Sequence, residues 1–314
     1  MHVRVALIVC ALSCLAACGG GGGGSSLALS PVPPAPAPPP PPTYTEISAV
    51  TPNSPLAGPA QGFTTSTTAN ALAAVSGGTL SGQGTITAAG IQSFTINVTN
   101  VAGVTFSETF TAADLSTSTP IPGQAPRALL AGTKTASDGS VRTLTLLDTT
   151  TSGFNYMLLG AWEYAPSAVA TSTTGQMFVV GSVTLGSDIP TTGTATYSGV
   201  MFGRYADGAA LWKATASASA TADFGNRSVA FMTANTQIAN QSVSQAAPSL
   251  NLSGTLTYPA ATNNLTGTLS TVNGLSGGAN AQFYGPAAVE LGGTFFVKDP
   301  GNTKQMTGAF GLKK

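Results

Sequence analysis

Charge is what this sequence has least of. Of its 314 residues, 7% are Asp, Glu, Lys or Arg, eleven of each sign, so the net charge is zero. Soluble domains usually carry about a quarter. With no basic excess, nucleic acid is excluded as a partner. Histidine occurs once, at His2, and cysteine three times, at Cys10, Cys14 and Cys18. Beyond Cys18 there is no thiol and no imidazole. That removes internal disulfides from the remainder, and with them histidine-dependent nucleophilic catalysis and most zinc or copper sites. A phosphate-binding loop is missing as well. Gly274-Leu275-Ser276-Gly277-Gly278 matches a nucleophile-elbow pattern, but it lies between strand-like segments rather than between a strand and a helix. It reads as a hairpin loop. The sequence therefore points away from an enzyme and calls for no cofactor, although a tyrosine-ligated haem or an oxygen-ligated ion stays compatible with what is left.

Long apolar runs are also missing. Val5 to Leu15, behind Arg4, is too short to span a bilayer. It has the order of a targeting segment: a positive start, an apolar stretch, then Leu15-Ala16-Ala17-Cys18. The last four residues form a lipobox, where a bacterial signal peptidase cuts before a cysteine that becomes lipid-modified. Residues 1–17 are the expected signal peptide and Cys18 the expected lipidation site. Several acyl chains on one terminus hold a protein stably on a bilayer. Gly19, rather than Asp, follows the cysteine. By analogy with other lipoproteins this permits transport to the outer membrane. Gly19 to Gly24 is a flexible run and Pro31 to Pro42 a semi-rigid one, so 18–61 reads as a tether.

What is plentiful is Thr, Ser, Val, Ala and Gly, a composition that favours strands and tight turns over helices. Period-two alternation begins near Gly62. Phe94, Ile96 and Val98 alternate with Thr95, Asn97 and Thr99, and Phe106 and Phe110 share a face. The clearest segment puts Trp212, Ala214, Ala216, Ala218, Ala220, Ala222 and Phe224 on one face. Lys213, Thr215, Ser217, Ser219, Thr221 and Asp223 fall on the other. A helix would scatter that pattern. Leu250 to Tyr258, Leu265 to Leu269 and Met306 to Leu312 repeat it, and no helix of any length is expected. One face is thus apolar, mixing very small with large residues, and the other is hydroxylic. A transmembrane barrel needs an apolar outer face and a polar lumen. Small and large inward residues in alternation suit a water-soluble barrel with a filled interior.

The C-terminal segment carries Phe283-Tyr284-Gly285-Pro286, then Glu290-Leu291-Gly292-Gly293-Thr294-Phe295, then Gly308-Ala309-Phe310-Gly311 with a terminal basic pair. Earlier come Phe178-Val179-Val180-Gly181, a stretch from Pro190 to Gly199, and Ala222-Asp223-Phe224-Gly225-Asn226. Together, behind a lipobox, this ordered set resembles the transferrin-binding protein B family of surface lipoproteins. The resemblance implies an all-β fold, with an eight-stranded antiparallel soluble barrel over 148–314 and a smaller β domain, the handle, over 62–147. Family members often carry two such lobes; this chain has room for one.

The resemblance also implies a lipid-anchored binding protein of the bacterial outer membrane, facing outside, with loops rather than strands setting the ligand. The partners it implies are the bilayer through acylated Cys18, a host protein or haem as ligand, and an outer-membrane receptor or surface-export partner. Low charge argues against a strongly electrostatic ligand. The candidate contact loop is Arg204-Tyr205-Ala206-Asp207-Gly208, with Arg204, Tyr205 and Asp207 as ligand-binding residues. Arg and Tyr are enriched at binding hot spots. The plain alternative is a hairpin turn, since Asp-Gly is a common turn pair. Two other readings compete: a non-capturing structural or assembly lipoprotein of the envelope, and an adhesin-like β-solenoid. The solenoid would need a fixed short repeat, which the sequence does not show.

Overall fold

Nearly every segment that alternates in sequence is a strand. The computed structural model describes residues 43–121, 124, 126–240 and 243–314. The signal segment, Cys18 and the Gly- and Pro-rich runs lie outside them. In chain order the strands are β1 (Ala60–Ser66), β2 (Ala71–Val75), β3 (Thr79–Thr87), β4 (Gly90–Val101), β5 (Val104–Thr111), β6 (Ser116–Pro120), β7 (Ala128–Thr135), β8 (Val141–Leu147), β9 (Met157–Ala165) and β10 (Ser172–Gly181). Then follow β11 (Thr194–Ala206), β12 (Leu211–Asp223), β13 (Ser228–Ala239), β14 (Ser244–Ala246), β15 (Leu252–Thr257), β16 (Leu265–Thr271), β17 (Ser276–Tyr284), β18 (Glu290–Lys298) and β19 (Gln305–Lys313). Among the described residues the α-helical content is one turn, α1 (Thr149–Ser152), capped by Asp148.

The C-terminal strands close into an antiparallel barrel of eight. Its order is β11-β12-β13-β15-β16-β17-β18-β19, and β19 pairs back onto β11 from Ser198↔Lys313 to Ala206↔Gln305. The short β14 hangs on β13. Ala214 to Ala222 point inward as the alternation requires, with Thr and Ser between them facing out. Neighbouring strands fill the room these alanines leave. Phe231 and Phe310 meet with ring centroids 4.4 Å apart, and Phe283 and Phe295 are fully buried beside them. The interior is therefore packed with side chains, which is how a barrel of this strand number is stabilised. Gly274 to Gly278 is the β16–β17 hairpin, with Leu275 buried under it.

The N-terminal strands form two stacked sheets. Seven lie in the order β2-β1-β10-β9-β8-β7-β6, and β3-β4-β5 form a second sheet. Phe94, Ile96, Phe106 and Phe110 of the small sheet pack on Leu144, Leu158, Trp162 and Phe178 of the large one. The opposite face of the large sheet lies on the outer wall of the barrel: Met157, Leu159, Met177 and Val179 meet Val200, Phe202 and Ala309. The order of layers is small sheet, large sheet, barrel. Gly292 and Gly311 on the barrel wall permit this approach. A Cβ on Gly292 would stand 2.7 Å from Met157 Sδ, and one on Gly311 2.6 Å from Leu159.

The boundary between the two parts differs from the sequence expectation of 148. Strands β9 and β10 join the seven-stranded sheet, and the barrel starts at Thr194. The reason is burial on both faces. Met157, Leu159 and Ala161 turn to the barrel while Leu158 and Trp162 turn to the small sheet, so β9 reads as an apolar run without a polar phase. The packed part also begins earlier than 62. Ile47, Val50 and Leu56 are core residues, and Ile47 N–H donates to Asn155 C=O at 2.6 Å.

Candidate binding surface

Strand β11 carries two of the predicted contact residues, and its alternation decides where they go. Tyr205 lies in phase with Tyr197 and Met201, whose side chains point into the barrel; it is only 5% exposed. Burial raises its phenol pKa, with Asp207 and Asp299 adding to the effect. Arg204 points outward and pairs with Glu163 on β9, its Nε donating at 2.8 Å. Asp207 closes the β11–β12 turn, accepting from the N–H groups of Ala209 at 2.9 Å and Ala210 at 2.7 Å and from Trp212 Nε1 at 3.0 Å. The three neighbours are thus directed to three places: a core, a sheet-to-barrel contact and a turn. The hairpin alternative describes this geometry.

Five charged side chains come together on the handle. Glu108 (β5), Asp114, Lys134 (β7), Asp138 and Arg142 (β8) make up five of the 22 charged side chains, eleven basic plus eleven acidic. Lys134 Nζ lies 3.0 Å from Asp114 and 4.0 Å from Glu108, and it also donates to Thr109 C=O at 2.7 Å. Arg142 Nη1 donates to Glu108 at 2.8 Å, and Nη2 lies 4.0 Å from Asp138. The Asp114 carboxyl is held down to about 2, first by the Thr111 N–H bond and then by Lys134. The Arg142 guanidinium sits 5.0 Å over the Phe106 ring. Phe106 in turn meets Trp162 edge-on at 5.3 Å and stacks on Tyr164 at 6.3 Å. Arg142 Nε is buried there without a hydrogen-bond partner. Arg142 is thus laid on one aromatic face and braced by a carboxylate, which holds its side chain in one place.

A third feature sits where the handle chain joins the barrel. Glu290 on β18 is fully buried, and its carboxylate accepts from the N–H groups of Asn155 at 2.6 Å and Tyr156 at 2.9 Å. Lys313 Nζ stands 4.0 Å away. Burial raises this carboxyl above the ordinary glutamate value, while the two N–H bonds and Lys313 oppose the rise. The arrangement fixes the connector between α1 and β9 to the barrel. Among the described residues no three His, Cys, Asp or Glu come together as a metal site.

The closed strand order and filled interior meet their counterpart in comparison with known proteins. Residues 189–314 match the family model described as the C-lobe and N-lobe β-barrels of transferrin-binding protein B. The C-terminal barrel is transferrin-binding protein B-like. The matched span begins five residues before β11 and runs to Lys314, so it coincides with the barrel and leaves the handle outside. Among solved structures, a double mutant of transferrin-binding protein B from Haemophilus parasuis Hp5 is 16% identical, covers 75% of this chain and 53% of its own, and superposes with a TM-score of 0.45. The isotype 1 protein from serogroup B Neisseria meningitidis is also 16% identical, with 75% and 51% covered and a TM-score of 0.40. An intact two-lobe protein, Ap-TbpB, gives 16%, 81%, 45% and 0.46. The chain spans about half the length of these proteins. No curated protein matches it.

Sequence reasoning placed the barrel and its turns but missed the Arg142 cluster and Glu290. The cluster had a signal: Glu108, Asp114, Lys134, Asp138 and Arg142 crowd into 35 residues of a charge-poor chain. Glu290 had none, because a single acid in a strand does not announce its burial.

Proposed function

We propose that this protein is an outer-membrane lipoprotein, anchored through acylated Cys18, that holds its handle and barrel outside the cell and captures a protein ligand. The observation that carries this reading is a transferrin-binding protein B-like barrel with a filled interior, behind a lipobox and a Gly/Pro-rich tether. A filled barrel passes nothing through its centre, so its rigidity serves to present loops and faces. The relatives it resembles are named for binding transferrin. A host or environmental iron carrier, protein or haem, is therefore the ligand class proposed, with delivery to an outer-membrane receptor as its sequel. The contact surface proposed is the charged handle face that carries Lys134, Asp138 and Arg142, over the buried Phe106. It replaces the β11–β12 turn, whose residues are engaged in packing.

Two measurements test this. Protease shaving of intact cells should cut the protein. Purified protein should retain a carrier from plasma, haemoglobin or haem-containing extracts, and Arg142→Ala should reduce that retention. Resistance to shaving in cells whose other surface proteins are cut would return the protein to the periplasmic, non-capturing alternative.

A further inference from the structure

Glu290 and Lys313 are paired across β18 and β19, and both side chains reach from the barrel to the connector between α1 and β9. Glu290 is fully buried there and Lys313 is partly exposed. As an ion pair their geometry is loose: Lys313 Nζ stands 4.0 Å from Glu290 Oε1, at the outer limit for such a contact. The amine is held closer to two other groups. It donates to the Gly153 C=O at 2.9 Å and to Asn155 Oδ1 at 3.1 Å. An amine is thus offered to a side-chain amide, with a buried carboxyl group beside both.

Asn155 is held from three sides. Its N–H donates to Glu290 Oε1 at 2.6 Å, its C=O accepts from Ile47 N–H at 2.6 Å, and its side chain meets Lys313. Such fixing removes much of the entropy that separates an amine from an amide 158 positions away in the chain. Burial favours the protonated form of Glu290, against its N–H bonds to Asn155 and Tyr156 and the charge of Lys313. The group is therefore placed to take a proton from an ammonium, which must become an amine before it attacks anything. Asn155 itself is exposed, so a small leaving group has a way out. A Lys amine, an Asn amide and a buried acid gathered at one point are the parts of one reaction.

We propose that Lys313 and Asn155 join in an intramolecular amide bond, which staples the last barrel strand to the connector that leads into β9. Lys313 gives a proton to Glu290, and the neutral Nζ attacks Asn155 Cγ. The Nζ–Cγ bond forms and the Cγ–Nδ2 bond breaks. The amide nitrogen leaves as ammonium, carrying one proton from Nζ and the one that Glu290 returns, so no oxidant or other co-reactant is needed. A hydrogen bond to Oδ1 lies near the amide plane, whereas attack comes over its face. The step therefore requires a rotation about the Cβ–Cγ bond of Asn155, which its exposed side chain allows. The cross-link is independent of lipid anchoring and of the ligand captured.

The test uses the full chain, purified folded, then denatured and cut with trypsin, with the fragments read by tandem mass spectrometry. The fragment that starts at Gln305 should run to Lys314, because trypsin does not cut after an acylated Lys313. It should be joined to the fragment that carries Asn155, and the joined species should weigh one ammonia less than its two parts. Lys313→Arg keeps the charge but not the nucleophile, and should abolish it. Glu290→Gln keeps the size of the side chain but not the proton acceptor, and should reduce it at least about tenfold. A free fragment ending at Lys313, with the Asn155 fragment at its sequence mass, would overturn the proposal. So would ammonia lost within a single fragment, as in an imide at Asn273-Gly274, or a joined species undiminished in either variant.

Discussion

A carboxylate at position 218 should unfold this protein in a pH-dependent way, whereas one at 219 should not. Ala218 is 4% exposed, inside the barrel, between Gly199 on β11 and Thr233 on β13. Ser219 is exposed on the outer face. In Ala218→Asp the new side chain has no cation in the apolar interior to pair with. The least costly state is then the protonated one. Holding an Asp neutral at pH 7, against an unfolded value near 3.9, costs about 4 kcal/mol. Burying the neutral carboxyl costs roughly 1–3 kcal/mol more. The sum of about 5–7 kcal/mol consumes much or all of a typical domain's 5–15. The sign follows from proton binding. With its folded pKa raised, the folded state binds the extra proton above pH 3.9, so stability falls as pH rises from there. At pH 4 the first contribution nearly vanishes. Urea unfolding followed by circular dichroism at pH 4 and pH 7 should therefore show a much larger loss at pH 7 for Ala218→Asp. Ser219→Asp should stay close to the wild type at both. Equal losses for the two variants, or a loss in Ala218→Asp that ignores pH, would refute the inward assignment of the alanine face.

Tyr205→Ala should cost about 3–5 kcal/mol by truncating a large buried ring, read as a lower urea midpoint. A melt unchanged from wild type would put this ring outside the core. Glu290→Gln tests the raised carboxyl: the folded protein takes up a proton before the unfolded chain does, so the wild type's stability relative to the variant should increase as pH is lowered from 7 to 5. A flat or opposite trend would mean that the hydrogen bonds outweigh burial. Cys18→Ser should abolish labelling by a radioactive fatty acid and release the protein from membranes; retained detergent partitioning would refute the anchor.

The parts of the fold legible in the sequence are those with one wet face. Strand β12 and the run from Leu265 to Leu269 alternate cleanly because water meets every second residue. Strands β9 and β10 meet protein on both sides, so their apolar run carries no phase, and the sequence could not say which sheet they join. Tyr205 was readable by the same rule that found β12: Tyr197, Met201 and Tyr205 keep one parity through β11, interrupted only by glycines. The Asp207-Gly208 pair drew attention to the turn and away from that parity. Gln176 was not readable at all. An amide amid Met177, Phe178 and Val179 looks like a lapse in an apolar strand until Trp162, whose indole N–H it accepts at 3.0 Å, is placed beside it.

The doubly buried strand β9 also determines how the molecule comes apart. Its residues alternate between two hydrophobic interiors, so neither interior can be dismantled while the other keeps its wall. Removing the barrel would leave Met157, Leu159 and Val179 facing water, and removing the sheets would do the same to Val200, Phe202 and Ala309. Handle and barrel, distinct in topology, are in this sense one cooperative unit. A force or a denaturant that opens the seam uncovers apolar surface on both sides at once.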